Sequence, residues 1–218
     1  MKLEHLFRFF DRDIFTIPSR LNLFNMYLDR IDSLDLPDAP QIRKANLRYY
    51  LDSYKKFPPI LLIGEAPGHK GCRFSGIPFT SEGQLCASEL PFSGKLTSLQ
   101  NKPMREQSGT VFWRVMKKYH PHFFVWATVP LHPHNPGNFR SNRTPSLSEV
   151  RDFLPLLRGV IEILNPSTVV AIGRKAEYAL NELSIEHRHV RHPAQGGARQ
   201  FENEITCIMD YNIRGENR

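Results

Sequence analysis

The sequence predicts an α/β protein: a three-layer α/β/α sandwich around a central four-stranded, mainly parallel sheet. Three observations carry that prediction. Three short apolar runs, at residues 60–63, 123–129 and 168–172, have the length and composition of buried strands, and residues 187–190 read as a short fourth strand. The stretches between them place apolar residues at helical spacing. Strand and helix signals therefore alternate, and neighbouring parallel strands require a helix-length crossover. At 218 residues the chain is long enough for one well-buried domain. We read 1–218 as a single domain, with a helical N-terminal region over 1–57 and an α/β core over 58–210.

In the first 36 residues Phe and Leu mix with Arg and Asp, and Leu21, Phe24 and Leu28 recur at helical spacing, which suggests short helices across one edge. Asp38-Ala-Pro-Gln41 has the form of an N-cap with a capping-box partner, and Ile42, Ala45 and Tyr49 follow on one face to about Tyr54. Pro58 and Pro59 open the first strand and Gly64 closes it. After a glycine-rich loop, Ser81 to Leu90 predicts a helix. Residues 92–108 are polar and punctuated, a long loop that is either functional or mobile. Val111, Phe112, Val115, Met116 and Tyr119 make a helix that ends at His120-Pro121. The second strand, Phe123 to Val129, runs into Pro130 to Pro145, which lacks hydrophobic periodicity and is expected to be surface loop. Ser146-Leu-Ser-Glu149 is a capping box. Leu147, Val150, Leu154, Leu157, Ile161 and Leu164 carry the helix that follows, with a kink expected at Pro155. Thr168 to Ile172 is the third strand, Gly173-Arg174-Lys175 opens another helix, and His187 to Val190 is the fourth strand before a final helix.

The net charge is +7 and the pI about 9.5. Such a balance favours an acidic partner, because cations on one face release counterions from phosphates. No apolar run approaches the roughly 20 residues of a membrane span, and the charged N-terminus is unlike a signal peptide. The expectation is a cytoplasmic protein without a membrane partner. Cys72, Cys86 and Cys207 are odd in number and widely spaced, so free thiols are expected. His132 and His134 flank Pro133, and His187, His189 and His192 lie close together, but no acidic or cysteine partners stand at metal spacing. No metal site and no cofactor are predicted.

Ligands of open α/β sheets bind beyond the carboxyl ends of the strands. The loop after the first strand carries Glu65, an Ala66-Pro67-Gly68 turn, and Phe74 and Phe79 among small and basic residues. It is the leading candidate site. Arg140, Ser141, Asn142 and Arg143, in the loop after the second strand, are candidate phosphate contacts. Arg174 and Lys175 stand at a helix start, where backbone N–H groups also favour phosphate.

Gly64-Glu-Ala-Pro-Gly68 after the first strand and His192-Pro-Ala-x-x-Gly197 after the last stand with Pro130-Leu-His-Pro-His134, Asn142-Arg-Thr-Pro145 and Ile172-Gly-Arg-Lys-Ala176. In that order these motifs resemble the uracil-DNA glycosylase superfamily, nearest its bacterial branch with the Gly-Glu-Ala-Pro-Gly motif, over about residues 58–205. The resemblance implies a DNA partner and a target base flipped into a pocket at the strand ends; a monomer is the default expectation for an enzyme that must wrap a duplex. It assigns Gly64 to Gly68 to the first catalytic motif, Phe79 to stacking on the base, and His192 to the leaving base's carbonyl. The loop from Ala194 to Arg199 would press into the minor groove, with Gln195 entering the vacated stack and Gly196, Gly197 and Arg199 beside it. Glu65 would orient the attacking water, a general-base role.

Four departures shape the expected activity. Ala66 stands where the most active members carry an aspartate. The three cysteines are too few for the four-cysteine iron-sulfur cluster often found in this branch. Ala127 stands where relatives carry an asparagine that reads the uracil edge, and Gly68 where uracil-specific members place a blocking tyrosine. Losing a bidentate amide forfeits about 1–3 kcal/mol of base discrimination and enlarges the pocket. The expected activity is a monofunctional DNA glycosylase for a bulky modified pyrimidine, such as the glucosylated hydroxymethylcytosine excised by superfamily members that defend bacteria against phage. The alternatives are a uracil glycosylase in base-excision repair whose amide role falls to backbone or Thr128, and a non-catalytic binder of modified DNA. No lysine within the two motifs is placed for strand-cleaving Schiff-base attack, Lys70 being the nearest.

Overall fold

A computed structural model describes residues 2–87 and 90–216. In chain order the elements are α1 (Lys2–Asp13), β1 (Leu23–Phe24), α2 (Ala39–Asp52), β2 (Ile60–Gly64), α3 (Cys72–Ser75), α4 (Glu82–Cys86), α5 (Gln107–Met116), β3 (Phe123–Ala127), β4 (His132–Pro133), α6 (Leu147–Leu164), β5 (Thr168–Ile172), α7 (Arg174–Glu182), β6 (Arg188–Val190) and α8 (Ala198–Glu216). The central sheet has the order β3-β2-β5-β6, and every pairing in it is parallel. This is the α/β/α architecture expected from the sequence.

All five residues of β2 and of β3 are buried, so these strands are covered on both faces. Alternation along β3 shows by what. Phe123 faces α5, its ring 5.9 Å from both Phe112 and Trp113. Phe124 stacks on Tyr50 of α2 at 5.2 Å, and Trp126 stacks on Phe10 of α1 at 4.2 Å. Each such side chain taken out of water contributes about 1.5–3 kcal/mol. The register sets Gly64 beside Ala127 and Ile63 beside Ala171, so the ends of the sheet strands open on one edge. Three backbone bonds hold the loops leaving that edge: Thr128 N to Gly64 O at 2.9 Å, Val129 N to Glu65 O at 3.0 Å and Gly173 N to Val190 O at 2.9 Å.

Four local expectations need correction. Residues 21–28 are not helical: Leu23–Phe24 pairs antiparallel with His132–Pro133, and Leu21 is 83% exposed. Helical spacing in so short a run was coincidental. Helix α2 starts after Asp38 as expected but without a side-chain cap, and its buried face is Arg43, Asn46, Leu47 and Tyr50, while Tyr49 is exposed. The shift follows from Arg43, a buried charge that an apolar pattern does not count. In α6, Leu147 at the first turn is exposed, and Phe153 and Val160 join the buried face. Residues 130–134 are buried rather than loop surface, because β4 docks on β1. The capping box of α6 forms, with Ser146 and Glu149 bonding reciprocally. Among the described residues no helix is long and apolar enough to cross a membrane, and no group of His, Cys, Asp and Glu could hold a metal ion.

Candidate active site

A cavity of about 630 Å³ opens at the carboxyl edge of the sheet. Gly64, Glu65, Ala66 and Gly68 form its wall after β2, Trp126 and Ala127 after β3, and Gly173, Arg174 and Lys175 after β5. His192 and Gln195 close it after β6, and Phe79 reaches in from the loop between α3 and α4. Glu65, Phe79 and His192 therefore share one cavity, with Ala127 on its wall.

Phe79 is held in a left-handed backbone conformation, φ 52°. One face of its ring stacks on Phe112 at 4.7 Å and 17°, and its centroid lies 5.6 Å from that of His192. The ring lies against the end of β2, where a Cβ on Gly64 would come within 2.6 Å of Phe79 Cε2. Any side chain at position 64 would push the ring away. A rigid aromatic face at the end of a sheet offers a planar ligand a stacking platform.

His192 Nδ1 accepts a hydrogen bond from Ala194 N at 3.1 Å. The ring proton of the neutral form is thereby assigned to Nε2. Burial, with the charge of Arg191 nearby, pushes the His192 pKa down to about 4. The site thus presents a neutral imidazole donor. Burial raises the pKa of Glu65, and the Lys175 ammonium partly offsets that rise. The carboxylate and the donor can serve opposite ends of one bond, steadying a water and a departing anion.

The family model of the uracil DNA glycosylase superfamily matches residues 51–209. The chain belongs to that superfamily. Its fold is similar to that of SMUG2 from Pedobacter heparinus, a solved structure with TM-score 0.68 and 18% identity over 100% of this chain and 99% of that one. No curated protein sequence matches.

Within this superfamily member, Asn142, Arg174, Lys175 and Gln195 line the cavity, whereas Arg140, Ser141, Gly196, Gly197 and Arg199 lie outside it. Gln195, at φ 53°, and Gly196, at φ 78°, form the exposed tip of the last loop. Asn142 Oδ1 accepts from His69 N at 2.8 Å, tying the 140–144 loop to the first one. Two candidate phosphate contacts are already engaged. Ser141 Oγ donates to Asn138 O and accepts from Asn135 N, and Arg143 forms a two-point pair with Glu149 at 2.8 Å on each arm. Thr128 is not on the wall: it is buried, and its hydroxyl donates to Gly64 O at 2.8 Å. It cannot replace an amide that reads a base edge. The thiols of Cys72, Cys86 and Cys207 are free, the first buried and the others exposed, on three different helices. They do not form the four-thiolate set of an iron-sulfur cluster.

A second carboxyl group on the wall escaped the sequence reading. Glu106 lies on the cavity at the start of α5, at the end of the polar 92–108 stretch. That stretch is fixed: the Glu82 carboxylate accepts from Thr97 N at 2.7 Å, Ser98 N at 2.9 Å and Ser98 Oγ at 2.6 Å, and Gly83 N donates to Met104 O at 2.8 Å. Nothing in its spacing marks Glu106, because its partners are distant in sequence.

Proposed function

We propose that the protein is a monofunctional DNA glycosylase that flips a modified pyrimidine out of DNA and hydrolyses its N-glycosidic bond, leaving an abasic site. The observation that carries the reading is the convergence of Glu65, Phe79 and His192 on one cavity whose wall at Ala127 is a single methyl group. The flipped base stacks on Phe79, which at about 1–3 kcal/mol per base offsets much of the cost of unstacking. As the glycosidic bond breaks, the base gains negative charge and the sugar positive charge. His192 Nε2–H donates to a carbonyl of the departing base, and Glu65 orients water toward the anomeric carbon. Ala66 supplies no second carboxylate, so the water is activated by Glu65 alone in the first motif.

Ala127 leaves room beside the base, which favours a substituted pyrimidine over uracil, whereas the space expected over Gly68 is taken by the Glu106 carboxyl group. Glucosylated hydroxymethylcytosine in phage DNA is the substrate we favour, and antiviral defence in the cytoplasm the setting. We take the acting form to be a monomer. Ala66 and Ala127 together also favour a second reading, a non-catalytic binder of modified DNA.

Incubation with oligonucleotides bearing uracil, hydroxymethylcytosine or its glucosylated form, followed by alkaline cleavage, separates these readings. The expected result is alkali-labile product from a modified cytosine, with no strand break before alkali. Rapid cleavage at uracil would overturn the enlarged-pocket substrate. Tight binding with no abasic product on any base would establish the binder instead.

A further inference from the structure

Glu106 is a second carboxyl group on the cavity wall, and the reaction outlined above does not use it. Its oxygens lie against the first loop at two positions that lack side chains. A Cβ on Gly68 would sit 2.0 Å from Glu106 Oε1, and one on Gly71 would sit 2.0 Å from Glu106 Oε2. The carboxyl group reaches the wall only because both residues are glycine. Glu82 anchors the backbone leading to it through the bonds to Thr97 and Ser98, so the group is held in place rather than displayed on a mobile loop. Burial raises its pKa, and Ser108 beside it partly offsets that rise. A partly buried carboxylate gains from every further donor that completes its shell.

An ionised carboxylate accepts hydrogen bonds and donates none. Carbonyl oxygens on a base would be repelled by it, and a bare methyl group would leave it unpaired. Hydroxyl and amino groups would complete it. We propose that Glu106 is a specificity-determining acceptor that selects a flipped cytosine whose 5-substituent carries a hydroxyl group, over one whose 5-substituent is a methyl. The inference rests on the base-flipping reading above and names which bases that pocket takes.

The test compares paired oligonucleotides that differ only in 5-hydroxymethylcytosine or 5-methylcytosine, read both by equilibrium binding and by single-turnover excision. The wild-type protein is expected to favour the hydroxymethyl base by about tenfold or more, as a hydrogen bond to a charged group implies. Glu106→Gln, which keeps the shape and removes the charge, and Glu106→Met, which removes both polar atoms, are expected to bring the ratio to within about threefold. An unchanged urea midpoint certifies each variant, and either variant alone suffices if the other fails to fold. Equal handling of the two bases by the wild type overturns the role of Glu106, as does a preference that survives in the certified variants. Absence of abasic product on every base would instead overturn the glycosylase reading, while the binding ratio still decides the acceptor.

Discussion

His192 and Glu65 divide the proposed chemistry through their protonation states. With Nδ1 occupied by Ala194 N and a pKa near 4, His192 is neutral at physiological pH and acts as a hydrogen-bond donor, not as the proton source a cytosine leaving group invites. Glu65 must be ionised to orient water, and its pKa lies above the ordinary carboxylate value. The rate should therefore rise with pH as Glu65 loses its proton, then stay level to about pH 9, because His192 is already neutral across that range. His192→Ala should lower single-turnover excision about 10²–10³-fold, the usual cost of one donor at a developing anion. Glu65→Gln should remove the acid limb as well as most of the rate. A rate that falls through neutrality would instead identify an essential imidazolium. At this scale Glu65, Phe79 and His192 were legible because each lies within or beside a loop that follows a strand, in a recognisable motif. Thr128 was misjudged for a geometric reason: it lies just past the end of β3, where its hydroxyl turns back to donate to Gly64 O instead of facing the cavity. Glu106 was not legible because its role depends on two glycines some 35–40 positions earlier, a relation that only folding creates.

The elements before β2 support the site from behind, although their sequence announced no function. Phe10 of α1 stacks on Trp126, which lines the cavity, so the N-terminal helix backs the end of β3. Asp35 bonds both Arg43 of α2 and Arg73 of α3, and all three side chains are fully buried. Arg73 also packs over Phe74 at 4.1 Å and Phe24 at 4.9 Å. The cluster pins α3 to α2 and thereby fixes the approach to Phe79. Asp35→Ala would leave two guanidinium groups buried beside an empty place. Breaking a buried pair in this way costs about 3–5 kcal/mol, and the loss should appear as a lowered urea midpoint. A shift under about 1 kcal/mol would mean that water or Glu82 already balances the two arginines. Hydrophobic periodicity could not find this cluster, since it registers Arg43 and Arg73 as surface residues. The same blindness misplaced the buried face of α2. By contrast β2, β3 and β5 were plain in the sequence, because apolar runs of that length are what a doubly covered parallel strand demands.

Across the whole molecule, the net charge of +7 becomes functional only where the fold gathers it. Arg174 and Lys175 stand on the cavity wall at the start of α7, and Arg199 is exposed at the start of α8. Arg143, by contrast, is neutralised by Glu149. The sequence showed the excess of cations and the α/β frame that displays them; it could not show which cations had internal partners. Phosphate contacts release counterions, so log K for DNA should fall linearly with log salt concentration, with a slope of about 0.9 per neutralised phosphate. Arg174→Ala and Lys175→Ala should each weaken binding to duplexes of any sequence and flatten the slope by about 1. Glu106→Gln should leave the slope unchanged, because the group faces the base rather than the backbone. Binding isotherms at several salt concentrations on modified and unmodified duplexes measure both effects together. Slopes unaffected by removing Arg174 and Lys175 would move the DNA track to another face of the protein. The base would then have to enter the cavity from a different side, with Gln195 no longer positioned to fill the gap it leaves.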